Sequence, residues 1–301
     1  MQWLRLGVMW VLACVSINLW AQTNPSQVLV SIHPIALLVK SAWPEVDVST
    51  LVPPNQSPHD FALKPSHRQI IAQAEHVVWL GEDMEPYLAK VLGGHGSVTD
   101  LSDLFAKADV NAQAHDDHAD EHEDHAMHEE HDAHAGHDHG NVDPHIWLNP
   151  AAVPSILHKV QLLLGLPEPK AFLSSYGQWQ QQARSALTHQ DTGFVSFHDA
   201  FHYWVTYFHL NQAATLAINP EQPVGTRHLL EVRRLLESGK VACLFVEPQF
   251  KASIVDKLQQ GTDVPVVKID PLASNFKIES AGFLEFYAYL QRQFQQCYLP
   301  N

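Results

Sequence analysis

Basic residues are scarce in this 301-residue chain: 18 Lys and Arg face 33 Asp and Glu, for a formal net charge of −15 with histidine neutral. A nucleic-acid binder needs a basic patch, so the balance argues against that class. Cysteine is scarce as well, at three residues. After the first twenty residues no stretch is long and apolar enough to cross a bilayer, so the mature protein is expected to be soluble. The zinc-hydrolase pattern H-E-x-x-H and the nucleophile pattern G-x-S-x-G are both absent. What the chain does have is ordinary core material. Hydrophobic residues make up 46%, too many for a wholly disordered chain. The length suggests roughly two domains.

The start, MQWLRLGVMWVLACVSINLWAQTN, carries one early charge, Arg5, then an apolar run from Leu6 to about Leu19 and a small residue, Ala21. That order reads as a secretory signal peptide over residues 1–21, cut after Ala21. The run is shorter than the roughly 20 apolar residues a spanning helix needs. The alternative is lipidation at Cys14, since VLAC loosely resembles a lipoprotein box. Removing the leader removes Cys14 and leaves Cys243 and Cys297. An even pair in an exported protein reads as a disulfide.

Strands and helices alternate in both halves. VLVSIHPI, VDVSTLVP and HVVWLG read as strands, with helical composition at 35–42 and 66–74, where Ser66 is a plausible N-cap. Later, GFVSFHDAF runs from strand into helix, QAATLAIN, VACLFVEP and PVVKIDP read as strands, and helices are expected at 226–238, 253–260 and 279–297. This grammar predicts an α/β protein with parallel sheets. Between the halves, 169–190 has helical composition and is too long for a structureless connection. The expected division is an N-terminal lobe over 22–165, a linking helix over 166–190 and a C-terminal lobe over 191–301. Trp79, Trp147, Trp179 and Trp204 read as core or interface aromatics.

One segment breaks the pattern. Residues 111–141 contain HDDHADEHEDHAMHEEHDAHAGHDHG, with nine of the 21 histidines and ten acidic residues, leaving only −5 of net charge for the rest of the chain. Little in it can bury apolar surface, so it is expected to be disordered when metal-free. His115, His118, His122, His125, His128, His131, His134 and His137 fall three or four residues apart, with His139 after them. Imidazoles with interspersed carboxylates suit weak zinc binding. The match of HADEH to a protease pattern, H-x-x-E-H, is what such a composition produces by chance.

Other histidines sit at element ends in the ordered part, where binding residues collect. They are His59 in SPHD, His145 in VDPHIW and His198 in SFHDAF. Taken singly, each reads more readily as a satisfied structural histidine than as a ligand. Together with IDPLAS around Asp270 and LFVEPQF around Glu247, these segments resemble the metal-specific solute-binding proteins of bacterial ABC importers, most of all the zinc receptors. The resemblance covers essentially the whole mature chain. It implies two α/β lobes joined by a long rigid helix, with metal bound in the cleft by His59, His145 and His198. Asp270 matches the fourth-ligand position. Manganese-specific relatives carry a carboxylate where this chain has His198, which favours zinc, and Pro58 stands where some relatives place a glutamate.

Three neutral imidazoles and a carboxylate form a set suited to Zn²⁺. Asp199 is a candidate to orient His198, or to cap the following helix. Glu247 either lines the cleft or merely ends a strand. The expected function is zinc capture in the periplasm and delivery to an inner-membrane ABC permease, by a monomer with no catalytic role. Zinc affinity should fall as pH drops through the ordinary histidine range near 6.5. The competing readings are a periplasmic zinc buffer whose tract is the main site, and a zinc hydrolase.

Overall fold

The computed structural model describes residues 27–105, 142–188, 190–217, 224–249 and 252–299. The leader, Cys14 and the histidine-rich tract, with its proposed weak metal ligands, lie outside the described residues. The first half runs β1 (Gln27–Val30), α1 (His33–Ala42), β2 (Asp47–Thr50), α2 (Pro65–Gln73), β3 (His76–Trp79), α3 (Pro86–Leu92) and β4 (Val98–Asp100). Two helices follow, α4 (Val153–Leu164) and α5 (Lys170–Ala186). The second half runs β5 (Gly193–His198), α6 (His202–Phe208), β6 (Gln212–Ala217), α7 (Thr226–Glu237), β7 (Val241–Val246), α8 (Ala252–Gln259), β8 (Val266–Lys268) and α9 (Gly282–Cys297).

Each half holds one four-stranded parallel sheet, in the orders β2-β1-β3-β4 and β6-β5-β7-β8. The α/β class read from the alternation is the architecture observed. The two orders are the same pattern used twice. In each, the chain leaves the inner strand β1 or β5 to one side and then crosses to the other. Ligands of open α/β sheets bind beyond the carboxyl ends of the strands at such a switch point. β5 is buried at all six positions, as expected of a central strand covered on both faces. The edge strand β2 alternates exposed and half-buried residues.

Local details differ from the sequence reading. The first helix begins at His33, two residues earlier than expected, because Pro34 suits the first turn of a helix. The second begins at Pro65 with Lys64 as its N-cap, so Ser66 lies inside the first turn and caps nothing. Proline fixes φ and lacks the N–H that would need capping, which moves the start upstream. α3 and β4 are short elements that the pattern did not single out. The connecting helix is α5, shorter at both ends than the 169–190 read from composition.

One apolar cluster joins the halves. It contains Val30 and Leu37 from the first sheet and its helix, Tyr176 from α5, and Phe194, Trp204, Tyr287 and Phe294 from the second half. In α5 the buried residues Phe172, Tyr176, Trp179 and Ala183 recur at helical spacing and form one stripe. The Trp179 and Tyr287 rings lie 4.9 Å apart. Hydrogen bonds cross between the halves too: Trp147 Nε1 donates to the Pro271 carbonyl at 2.8 Å, and Tyr287 donates to the Trp147 carbonyl at 2.7 Å. His33 Nε2 bonds the Phe276 carbonyl at 2.8 Å. The four tryptophans expected as core aromatics are all buried.

Cys243 in β7 and Cys297 in α9 form a disulfide across 54 residues of sequence. A loop of that length limits the unfolded chain, a contribution of about 4 kcal/mol on the chain-entropy model. The double variant Cys243→Ala/Cys297→Ala should therefore unfold at lower urea with the fold otherwise intact, as read by a circular-dichroism titration.

A pH-sensitive feature lies in the loop after β3. Gly81 has φ +111°, and a Cβ there would stand 2.5 Å from the Ser102 Cβ. The turn brings Glu85 back so that its Oε2 accepts the Leu80 N–H at 2.7 Å. Burial pushes the Glu85 carboxyl up to about 8, against the opposing pull of that hydrogen bond. Between the unfolded value of 4.5 and about 8, the native state holds a proton that the unfolded chain has lost. Stability should fall as pH rises through that window, by roughly 1 kcal/mol per pH unit, and level off above it. Glu85→Gln should flatten this part of the profile, as read by urea unfolding at pH 5, 6.5 and 8.

Candidate metal centre

Three segments meet at the carboxyl ends of the strands. His59 follows β2 on a proline-bounded loop. His145 enters a single turn of 3-10 helix, Ile146–Leu148, that packs under the apolar cluster. His198 is the last residue of β5, so its position is fixed by the sheet itself. His145 and His198 are buried and His59 is half-buried. One ligand atom from each of the three lies within 4.8 Å of the others, and this is the metal-type cluster found among the described residues. Ring centroids are 5.3 Å apart for His59 and His145, 5.2 Å for His59 and His198, and 4.8 Å for His145 and His198.

The Nε2 atoms of His59 and His145 stand 3.2 Å apart. Two imidazoles on one tetrahedral zinc, each at about 2.0–2.1 Å, would hold their nitrogens about 3.3 Å apart. The pair is therefore already spaced to share an ion.

Each buried histidine has a carboxylate behind it. Asp143 Oδ1 lies 2.6 Å from His145 Nδ1 and accepts the His145 backbone N–H at 2.9 Å. Holding the proton on Nδ1 leaves Nε2 as the lone-pair nitrogen turned toward His59. The Asp143 carbonyl accepts the Tyr203 hydroxyl at 2.5 Å, which anchors this residue of the first half to α6. On the other side, Glu247 Oε1 lies 3.3 Å from His198 Nδ1. Sheet register makes this contact: Ser196 pairs with Phe245, so two residues on, His198 and Glu247 leave adjacent strands at one level. Such partners orient a ligating imidazole and raise its basicity.

Asp270 is not part of the histidine cluster. Its Oδ1 accepts from Gln249 Nε2 at 2.8 Å and from the Leu272 N–H at 3.0 Å. Its Oδ2 accepts from the Ser274 N–H at 2.6 Å and the Ser274 hydroxyl at 2.5 Å. Both oxygens are spent shaping the turn after β8. The expectation for Asp199 is corrected. It accepts a hydrogen bond from Gln212 at 2.9 Å, and α6 has no side-chain cap. Asp199 follows β5 and is engaged by Gln212 of β6, while the carboxylate beside His198 is that of Glu247. Of the two readings of Glu247, the structure shows the first: it lines the pocket with Met84, Trp147 and Gln249. Asp143 was missed, although its place two residues before His145 was the available signal.

These features define a class: a two-lobed α/β protein in which three histidines, able together to hold a metal ion, meet at the carboxyl ends of the strands. The family model described as "ZnuA: Zinc-uptake complex component A periplasmic" matches residues 28–297, and the chain belongs to that family of solute-binding receptors, which are not enzymes. The high-affinity zinc uptake system protein ZnuA of Yersinia pestis is 30% identical over 290 residues, covering 90% of each chain. That of Haemophilus ducreyi is 32% identical over 288 residues, covering 90% of this chain and 93% of its own. Among solved structures, a crystal structure of ZnuA superposes with a TM-score of 0.68 at 20% identity, covering 91% of this chain and 98% of its own. A zinc-bound ZnuA lacking residues 138–173 of its own chain gives 0.67 at 21% identity, covering 92% and 100%. At such identities the likeness is one of fold.

If Asp143 holds the His145 ring in its ligating tautomer, Asp143→Asn should weaken binding of a Zn²⁺ probe roughly 10- to 100-fold without moving the melting temperature by a comparable amount. Chelator competition and a thermal melt on one preparation measure both.

Proposed function

We propose that this protein is a periplasmic zinc receptor that captures Zn²⁺ between its lobes and hands it to an inner-membrane ABC permease for uptake. The observation that carries the reading is the convergence of His59, His145 and His198 from three separate segments on one buried point. Zinc accepts such a set because it imposes no geometry of its own and takes nitrogen readily. The relatives named as zinc uptake proteins support the choice of ion. The three imidazoles are the ligands, and the fourth position is taken by water or by Asp270 once its turn releases it. Zinc here is cargo, so the site binds and releases and performs no turnover.

The chain is exported by the leader at 1–21, which is then removed, and works as a monomer. The lobes divide near 165 and 191, with α5 between them, and β1 to β4 and β5 to β8 supply the two sheets. The histidine-rich tract gathers ions weakly and supplements the cleft site.

The test is a zinc titration against a competing chelator on protein lacking residues 112–140. One tight site should remain, and His145→Ala in that background should weaken it by orders of magnitude while the fold persists. Loss of all tight binding on tract removal would transfer the function to the tract and make the protein a zinc buffer. Wild-type affinity in the histidine variant would sink the ligand assignment.

A further inference from the structure

Two of the three histidines are placed by regular structure. His145 enters a turn bonded to the second half, and His198 ends a central strand. His59 stands on the stretch 51–64, which contains no helix or strand. The first residues of that stretch continue beside β1: the Leu51 N–H bonds the Val30 carbonyl and the Val52 N–H the Ser31 carbonyl, both at 2.9 Å. Its last residue is tied to α2, with the Lys64 N–H donating to His67 Nδ1 at 3.1 Å. Between those ends the loop bonds itself. The Gln56 N–H meets the Pro53 carbonyl at 3.0 Å, and the His59 N–H meets the Ser57 hydroxyl at 3.3 Å.

Phe61 is where the middle of this loop grips the lobe. It is the one large apolar side chain between residues 53 and 62. It is 6% exposed, yet it belongs to none of the three apolar clusters. Among the described residues its ring meets His67 of α2 and Tyr87 of α3, with centroids 5.0 Å and 5.7 Å away. The Tyr87 ring is inclined at 61°, close to the edge-to-face arrangement that aromatic pairs favour. The segment that carries Tyr87 also meets the loop from the metal side, since Met84 lines the pocket with Ser57, Pro58 and His59. That segment is itself held by the bond from the Leu80 N–H to Glu85.

The loop is stiff as well as anchored. Pro53, Pro54 and Pro58 each lock φ. Only Asp60 separates the buried ring from the imidazole. Fixing Phe61 therefore fixes His59. Phe61 does not line the pocket, so its influence on an ion passes through that histidine.

We propose that Phe61 is a positioning residue for the metal centre: its ring, seated against His67 and Tyr87, holds the His59 imidazole at the spacing it shares with His145. This rests on the receptor reading above.

The test is a double-mutant cycle on the full mature chain, comparing the wild type, Phe61→Ala, His59→Ala and the pair, with Zn²⁺ as the probe. Chelator competition is followed by tryptophan fluorescence, which reports on the cleft because the Trp147 ring lies 5.2 Å from that of His145. Phe61→Ala should weaken Zn²⁺ binding roughly 10-fold or more. X-ray absorption at one equivalent of zinc should count one imidazole fewer than in the wild type. In the His59→Ala background the same substitution should cause no further loss. Phe61→Leu, which keeps an apolar body in the seat, should recover most of the affinity. Tyr87→Ala leaves the loop sequence untouched and should reproduce the loss with the same dependence on His59, so it stands in if Phe61→Ala does not fold. Wild-type affinity in Phe61→Ala would overturn the proposal. So would an equal fold-loss with and without His59, the mark of a general structural prop. A wild type without a tight Zn²⁺ site would overturn the receptor reading itself, and this proposal with it.

Discussion

The shared aromatic core between the sheets is the constraint on which the rest depends. Each sheet alone could present a histidine at the end of a strand or on a loop beyond it. Only the packing of α5 and α9 against both halves brings those ends face to face. Trp147 shows the coupling most directly. It is buried in the common cluster and bonded to Pro271 and Tyr287, two residues after the ligating candidate His145. The position of that imidazole is thus set by contacts of the second half, although its residue number places it in the first.

The pocket is built as a pair of relays, carboxylate to imidazole, one from each half. In the second half the relay is a consequence of parallel register, with His198 ending β5 and Glu247 directly following the paired strand β7. In the first half it is local, with Asp143 reaching forward two residues to His145. The two arrangements reach the same end: a carboxylate beside Nδ1, with Nε2 on the other edge of the ring.

Sequence and structure agree most closely where periodicity and breakers coincide. The strands around GFVSFH and VACLFV, the helix closed at Gly239 and the long α9 all lie where the pattern puts them. Boundaries move where proline intervenes, as at His33 and Pro65, because a ring-locked φ starts a helix more firmly than a capping hydroxyl. The short elements α3 and β4 carry too few residues to show a period.

By itself, the sequence determined the α/β class, the pairing of two cysteines and the three histidines worth following, since each of these follows from local pattern or composition. The convergence of those histidines was decided by tertiary structure. So were the exchange of Asp199 for Glu247 as the partner of His198 and the engagement of Asp270 in its own turn. These depend on which strand lies beside which and on which donors a folded loop aims at a carboxylate. Residues 49 positions apart become neighbours only when β5 and β7 pair, and no spacing along the chain records that.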